Sequence, residues 1–182
     1  MKATGIVRRI DDLGRIVVPK EIRRTLRLRE GDPLEIFTDR EGEIILKKYS
    51  PIGELGQFAG RYAESLAQTT GHLVCITDRD HVIAASGSGK REYDGKSISK
   101  DMEKLIEERG NILAERGEKR FIKVTEDDKA EFEEQAISTI ICEGDAIGAV
   151  VLYGKEEKGK MTETESKLAA VAAGFLGRQM EQ

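Results

Sequence analysis

Five arginines stand within the first twenty-four residues: Arg8, Arg9, Arg15, Arg23 and Arg24. A guanidinium is a planar fork of donors that never deprotonates, and it forms paired bonds to phosphate or to a guanine edge. Residues 1–30 hold nine Lys/Arg against four Asp/Glu. The asymmetry runs on through the chain: twelve basic against nine acidic residues over 1–48, then eighteen against twenty-five over 49–182. The overall charge of −4 therefore hides a basic head on an acidic body, which puts any polyanion site at the N-terminus. Lys2 and Lys20 read as peripheral phosphate contacts or as plain solubility charges.

Other chemistry finds little footing. His72 and His81 are isolated and lack a histidine four residues away, so a metal site is not expected. Cys75 and Cys142 lie in apolar β-like runs without zinc-like spacing, and they read as buried, reduced thiols. Ser86-Gly87-Ser88-Gly89-Lys90 invites a phosphate-loop reading, but no glycine stands at the required spacing before Gly89-Lys90. It reads as a flexible loop that could rim a ligand pocket. No Ser/His/Asp or Cys/His set can be assembled, so no enzyme is expected. The acidic run from Glu126-Asp127-Asp128 to Glu131, Glu133 and Glu134 reads as solvated surface. With 5% aromatic residues and no Trp, a large aromatic-filled cavity is not expected.

The arginines need elements to carry them. Residues 3–10 alternate as a first strand ending in Arg8 and Arg9. Asp12-Leu13-Gly14 is a turn, since Gly accepts φ > 0 without a Cβ clash. Ile16-Val17-Val18 is a short β-branched strand. Pro19 stops it and suits a helix start. Residues 20–26 continue as that helix, with Ile22 and Leu26 on the buried side and Arg23 and Arg24 facing away, near Arg15. A turn at residues 29–33, a strand at 34–38, a turn at 39–42 and a strand at 43–48 complete the head. Fifty residues with few large side chains bury too little surface to stand alone, and no disulfide or metal is available as a staple. A second copy of the chain is the remaining candidate.

Residues 11–36, D-D-L-G-R-I-V-V-P-K-E-I-R-R-T-L-R-L-R-E-G-D-P-L-E-I, resemble the DNA-binding domain of AbrB-type transition-state regulators. The likeness covers about the first fifty residues, with turn, strand, proline, helix and second Gly-Asp turn in order. It implies an all-β-rich, swapped-hairpin dimeric barrel with one short helix. It also implies that Arg8, Arg15, Arg23 and Arg24 contact double-stranded DNA, with Arg9 at a basic position beside them. The whole chain resembles those members in spore-forming bacteria whose AbrB-like domain precedes a GAF-like domain. Activation and repression of genes of late spore development are what that resemblance implies. Antitoxins share the N-terminal fold, so a toxin-binding role is one alternative, though their tails are usually disordered, whereas this one reads as folded; a C-terminal domain serving assembly only is the other.

The second domain, residues 51–182, begins after a hinge at residues 50–53. Helices are expected over 55–70, 99–109 and 162–180, the last opened by the capping box Thr162-x-x-Glu165. Strands are expected at 73–77, 82–85, 121–124, 136–142 and 146–153. This order of elements gives an α+β GAF-like sensor domain. No cofactor is implied, but the resemblance leaves room for an unidentified small molecule between strands 73–85, 136–153 and the loop 86–96. Helices 54–70 and 162–180 could also meet between chains, making a tetramer from two dimers. Without a leader or an apolar run of about 20 residues, the chain reads as soluble and cytoplasmic, with no membrane partner.

Overall fold

In the computed structural model, residues 5–54, 56–129, 132–155 and 160–181 are described. The sequence expectations at Lys2, Ala3, Thr4, Leu55 and Glu131 fall outside them. The chain divides into two compact units, Met1–Tyr49 and Ser50–Gln182.

The first unit contains helix α1 (Lys20–Thr25) and a hairpin of β1 (Leu34–Thr38) and β2 (Ile44–Lys48), with Leu34 opposite Lys48 and Thr38 opposite Ile44. Pro19 precedes α1, where its missing N–H costs nothing. The helix closes with Leu28 N–H donating to Arg23 O and Arg27 N–H to Arg24 O, a Schellman end that puts Arg27 at φ 51°. At the hairpin tip, Asp39 Oδ1 accepts the Glu41 and Glu43 N–H groups at 3.0 and 2.9 Å.

The strands expected over residues 3–10 and 16–18 are not formed in the described residues, which are irregular at 5–10 and 15–19. A strand needs a neighbour to take its N–H and C=O groups, and among the described residues these segments pair with none. Their apolar side chains face solvent: Val7 is 86% exposed and Val17 70%, and in β1 Ile36 is 66% exposed. Leu26, expected on a buried face, is 57% exposed. Among the described residues of this unit only Pro19 is buried. One chain thus supplies apolar surface without a core to receive it.

The second unit is built on an antiparallel sheet ordered β4-β3-β7-β6-β5, comprising β3 (Leu73–Thr77), β4 (Val82–Ser86), β5 (Asn111–Glu115), β6 (Glu134–Cys142) and β7 (Asp145–Gly154). Side chains alternate across it. Val74, Ile76, Ala136, Val150 and Leu152 pack with helices α3 (Gly56–Thr70) and α5 (Glu163–Gln179). Leu73, Cys75, Ile137, Ala149, Val151 and Tyr153 face the other way, onto helix α4 (Lys100–Glu107) and the loops around it. Both faces are covered, which is why all of β3 is buried.

Small residues set the helix–sheet spacing. Ala59, Ala63 and Ala67 recur every fourth residue on the buried side of α3. In α5, a Cβ at Gly177 would run into the Ile141 carbonyl, so only glycine permits that approach. The expected capping box is present at the start of α5: the Thr162 hydroxyl accepts the Glu165 N–H, and Glu165 Oε2 accepts the Thr162 N–H at 2.6 Å.

The structure differs from the sequence reading at three places. Within the expected hinge at residues 50–53, Pro51–Glu54 is a short helix, α2, because proline fits a first turn and the Ser50 hydroxyl accepts the Gly53 N–H at 3.1 Å. Residues 121–124 do not form a strand. The Gln135 side chain takes both polar groups of Ile122, donating to its O at 3.0 Å and accepting from its N at 2.6 Å in the amide orientation that satisfies both. Ser99 N–H takes the Val124 carbonyl at 2.9 Å. Strand β5 was not foreseen; it pairs with β6 from Asn111 opposite Ser138 to Glu115 opposite Glu134.

Candidate nucleic-acid interface and sensor core

Arg15 is held by Asp11. The Asp11 carboxylate accepts Leu13 N–H at 3.0 Å and Arg15 N–H at 2.8 Å through Oδ1, and Arg15 Nε at 2.8 Å through Oδ2. Gly14 N–H closes the turn on Asp11 O at 3.0 Å, with Gly14 at φ 76°. The Arg15 N–H and then its guanidinium hold the Asp11 carboxyl below its ordinary value. The turn is therefore organised by Asp11 rather than by Asp12. An aspartate four residues before an arginine, across a glycine turn, was the available signal.

Arg23 and Arg24 occupy the last turn of α1, where positive charge opposes the helix dipole's negative end. Arg8 and Arg9 lie in the irregular segment ahead of Asp11. All five arginines are exposed. They form three groups on one unit, with the Arg15 guanidinium held through Nε by Asp11. Lys48, by contrast, is engaged inward with Asp32 Oδ2 and Arg27 O, each at 3.0 Å.

The second unit holds a polar centre that the acidic reading of residues 126–134 missed. Asp128 is buried, not solvated. Its Oδ1 accepts Tyr93 Oη at 2.8 Å, and its Oδ2 accepts Tyr153 Oη at 2.6 Å and Val124 N–H at 3.2 Å. Phe132 stacks on Tyr153 with centroids 4.7 Å apart, and Tyr93 stands 5.4 Å from Tyr153. Glu134 is also buried and accepts Met161 N–H at 2.7 Å. Desolvation, reinforced by Asp128, pushes both tyrosines and the fully buried Cys75 thiol upward, so none is a nucleophile near neutral pH. Cys142 is only partly buried, contrary to expectation. The Thr77 hydroxyl is buried, with no hydrogen-bond partner among the described residues. No helix among the described residues is long and apolar enough to cross a membrane.

These features define a class: a basic head of the AbrB type joined to a GAF-type body with a closed polar core. Residues 54–181 match the family model "Stage V sporulation protein T C-terminal, transcription factor", and residues 7–54 match "Antidote-toxin recognition MazE, bacterial antitoxin". Stage V sporulation protein T of Bacillus subtilis (strain 168) is 54% identical over 182 residues, covering 100% of both chains. The transition state regulatory protein AbrB of the same organism is 63% identical over 51 residues, 28% of this chain and 52% of that protein. The GAF domain from Acinetobacter phosphoenolpyruvate-protein phosphotransferase superposes with a TM-score of 0.56 at 11% identity, covering 71% of this chain and 87% of that one. The chain belongs to the stage V sporulation protein T family of transcription factors.

Proposed function

We propose that the protein binds double-stranded DNA through Arg8, Arg9, Arg15, Arg23 and Arg24, presented by a dimer of the first unit, and activates and represses genes of late spore development. It acts by binding and not by catalysis. The observation that carries this reading is the exposed arginine set on a unit 63% identical to a transition state regulator. The uncovered apolar side chains from Ile6 to Leu46 support pairing with a second copy, since a core missing from one chain must be completed by another.

The second unit serves assembly and small-molecule sensing in this reading. Phe58, Tyr62 and Phe175 join α3 to α5, with centroids 5.5 to 6.5 Å apart, and Phe175 and Val171 remain 41% and 65% exposed. That apolar seam supports a tetramer of two dimers. The antitoxin family match over residues 7–54 favours a toxin partner only for the head. The folded unit that follows, matched to a transcription factor, weighs against it. Alanine at Arg8, Arg15, Arg23 and Arg24 tests the proposal by DNA-binding anisotropy. Weakened binding with unchanged circular dichroism is expected; unchanged binding by folded variants refutes it.

A further inference from the structure

Consecutive residues of this chain are anchored in different units. Tyr49 N–H donates to Pro33 O at 3.0 Å, closing the hairpin of the first unit. Ser50 opens the second unit, where its hydroxyl donates to Asp78 Oδ2 at 2.9 Å and accepts the Gly53 N–H. The other oxygen of Asp78 accepts the N–H groups of Asp80 and His81, both at 2.7 Å, and Asp78 N–H donates to His81 O at 2.9 Å. One carboxylate therefore shapes the β3–β4 turn with one oxygen and holds the start of α2 with the other.

That turn is bonded to the layer carrying the polar core. Ile98 N–H donates to Asp80 O at 2.9 Å, and His81 bridges to Ser97. Ile98 in turn bridges to Thr125, Ser99 N–H donates to Val124 O at 2.9 Å, and Val124 N–H reaches Asp128. Hydrogen bonds between neighbouring backbone segments thus connect the Tyr93–Asp128–Tyr153 centre to Ser50.

We propose that the Ser50–Asp78 hydrogen bond is a latch that passes the state of the Tyr93–Asp128–Tyr153 centre to the chain joint. The inference rests on the reading that the second unit regulates the first. Regulation needs two arrangements with different DNA affinity, and the latch, made or broken, selects between them. Asp78 and Ser50 are positioning residues here, since neither belongs to the basic face.

A double-mutant cycle in the full chain tests this without any ligand. Tyr93→Phe perturbs the core, Ser50→Ala cuts the latch, and Ser50→Thr keeps the hydroxyl. The readouts are DNA affinity by anisotropy and hydrogen exchange at Gly53 N–H. The Gly53 N–H also donates to Ser50 O at 3.0 Å, a bond that Ser50→Ala keeps, so losing the hydroxyl should speed Gly53 exchange by up to about fivefold, the worth of one neutral hydrogen bond. Tyr93→Phe should speed Gly53 exchange and shift DNA affinity several-fold in the wild-type and Ser50→Thr backgrounds, and shift neither with Ser50→Ala. An equal affinity shift in all backgrounds, or none in any, overturns the latch. If the wild-type chain binds no DNA, the functional reading falls, and the latch is then judged on Gly53 exchange: no response to Tyr93→Phe overturns it.

Discussion

Replacing Tyr153 with phenylalanine removes one oxygen from the interior and leaves the ring in place. Tyr153 is 1% exposed, and its hydroxyl donates at 2.6 Å to Asp128 Oδ2. The stack on Phe132 is retained, so the cost is that of a hydrogen bond to a carboxylate, about 2 kcal/mol. Asp128 keeps Tyr93 at 2.8 Å and Val124 N–H at 3.2 Å, which limits the loss. With an m value near 2 kcal/mol/M in urea, the unfolding midpoint of the second unit should fall by about 1 M. Adding Tyr93→Phe should cost more than the two single losses together, because the carboxylate then loses both hydroxyl donors. The assay is urea unfolding followed by circular dichroism. Midpoints that stay at the wild-type value in both single variants would show that this centre contributes nothing to stability.

Further outcomes follow from the same geometry. Asp11 has a folded pKa below its unfolded value, so its contribution is present above about pH 4 and is lost as pH falls through the folded value. A carboxyl NMR titration should place its midpoint below about 3.9, and a higher midpoint contradicts the Arg15 clamp. Gly177→Ala forces a Cβ onto the Ile141 carbonyl and should lower the melting temperature by roughly 5 °C or more; a neutral effect would mean α5 sits further from β6. Phe175→Glu should reduce the proposed tetramer to a dimer in sedimentation, and an assembly state equal to wild type removes the α3–α5 seam from the proposal.

What the sequence makes legible depends on how local each instruction is. The apolar β runs at 73–77, 136–142 and 146–153 and the Thr162–Glu165 box act within a few residues, and they appear in the structure close to where the pattern puts them. Residues 5–10 and 16–18 carry strand patterns that the described residues leave unpaired, and pairing in the proposed dimer would account for them. Asp128 was illegible because its neighbours are acidic and polar. Its burial is decided by tyrosines 35 and 25 residues away. Gln135 likewise captures the backbone of Ile122 by a tertiary contact that no periodicity encodes. The arginines were legible because charge count needs no fold, and the Asp11 clamp on Arg15 left a local signal in the i, i+4 spacing across Gly14.

The central claim is that the exposed arginines neutralise DNA phosphates. The salt dependence of DNA binding tests it most directly, comparing the wild-type chain with the Arg8, Arg15, Arg23 and Arg24 alanine variants. For the wild type, the logarithm of the binding constant should fall linearly and steeply with the logarithm of salt concentration. The slope should flatten by about 0.9 for each phosphate contact that a variant loses. Folded variants with the wild-type slope and affinity would contradict the account.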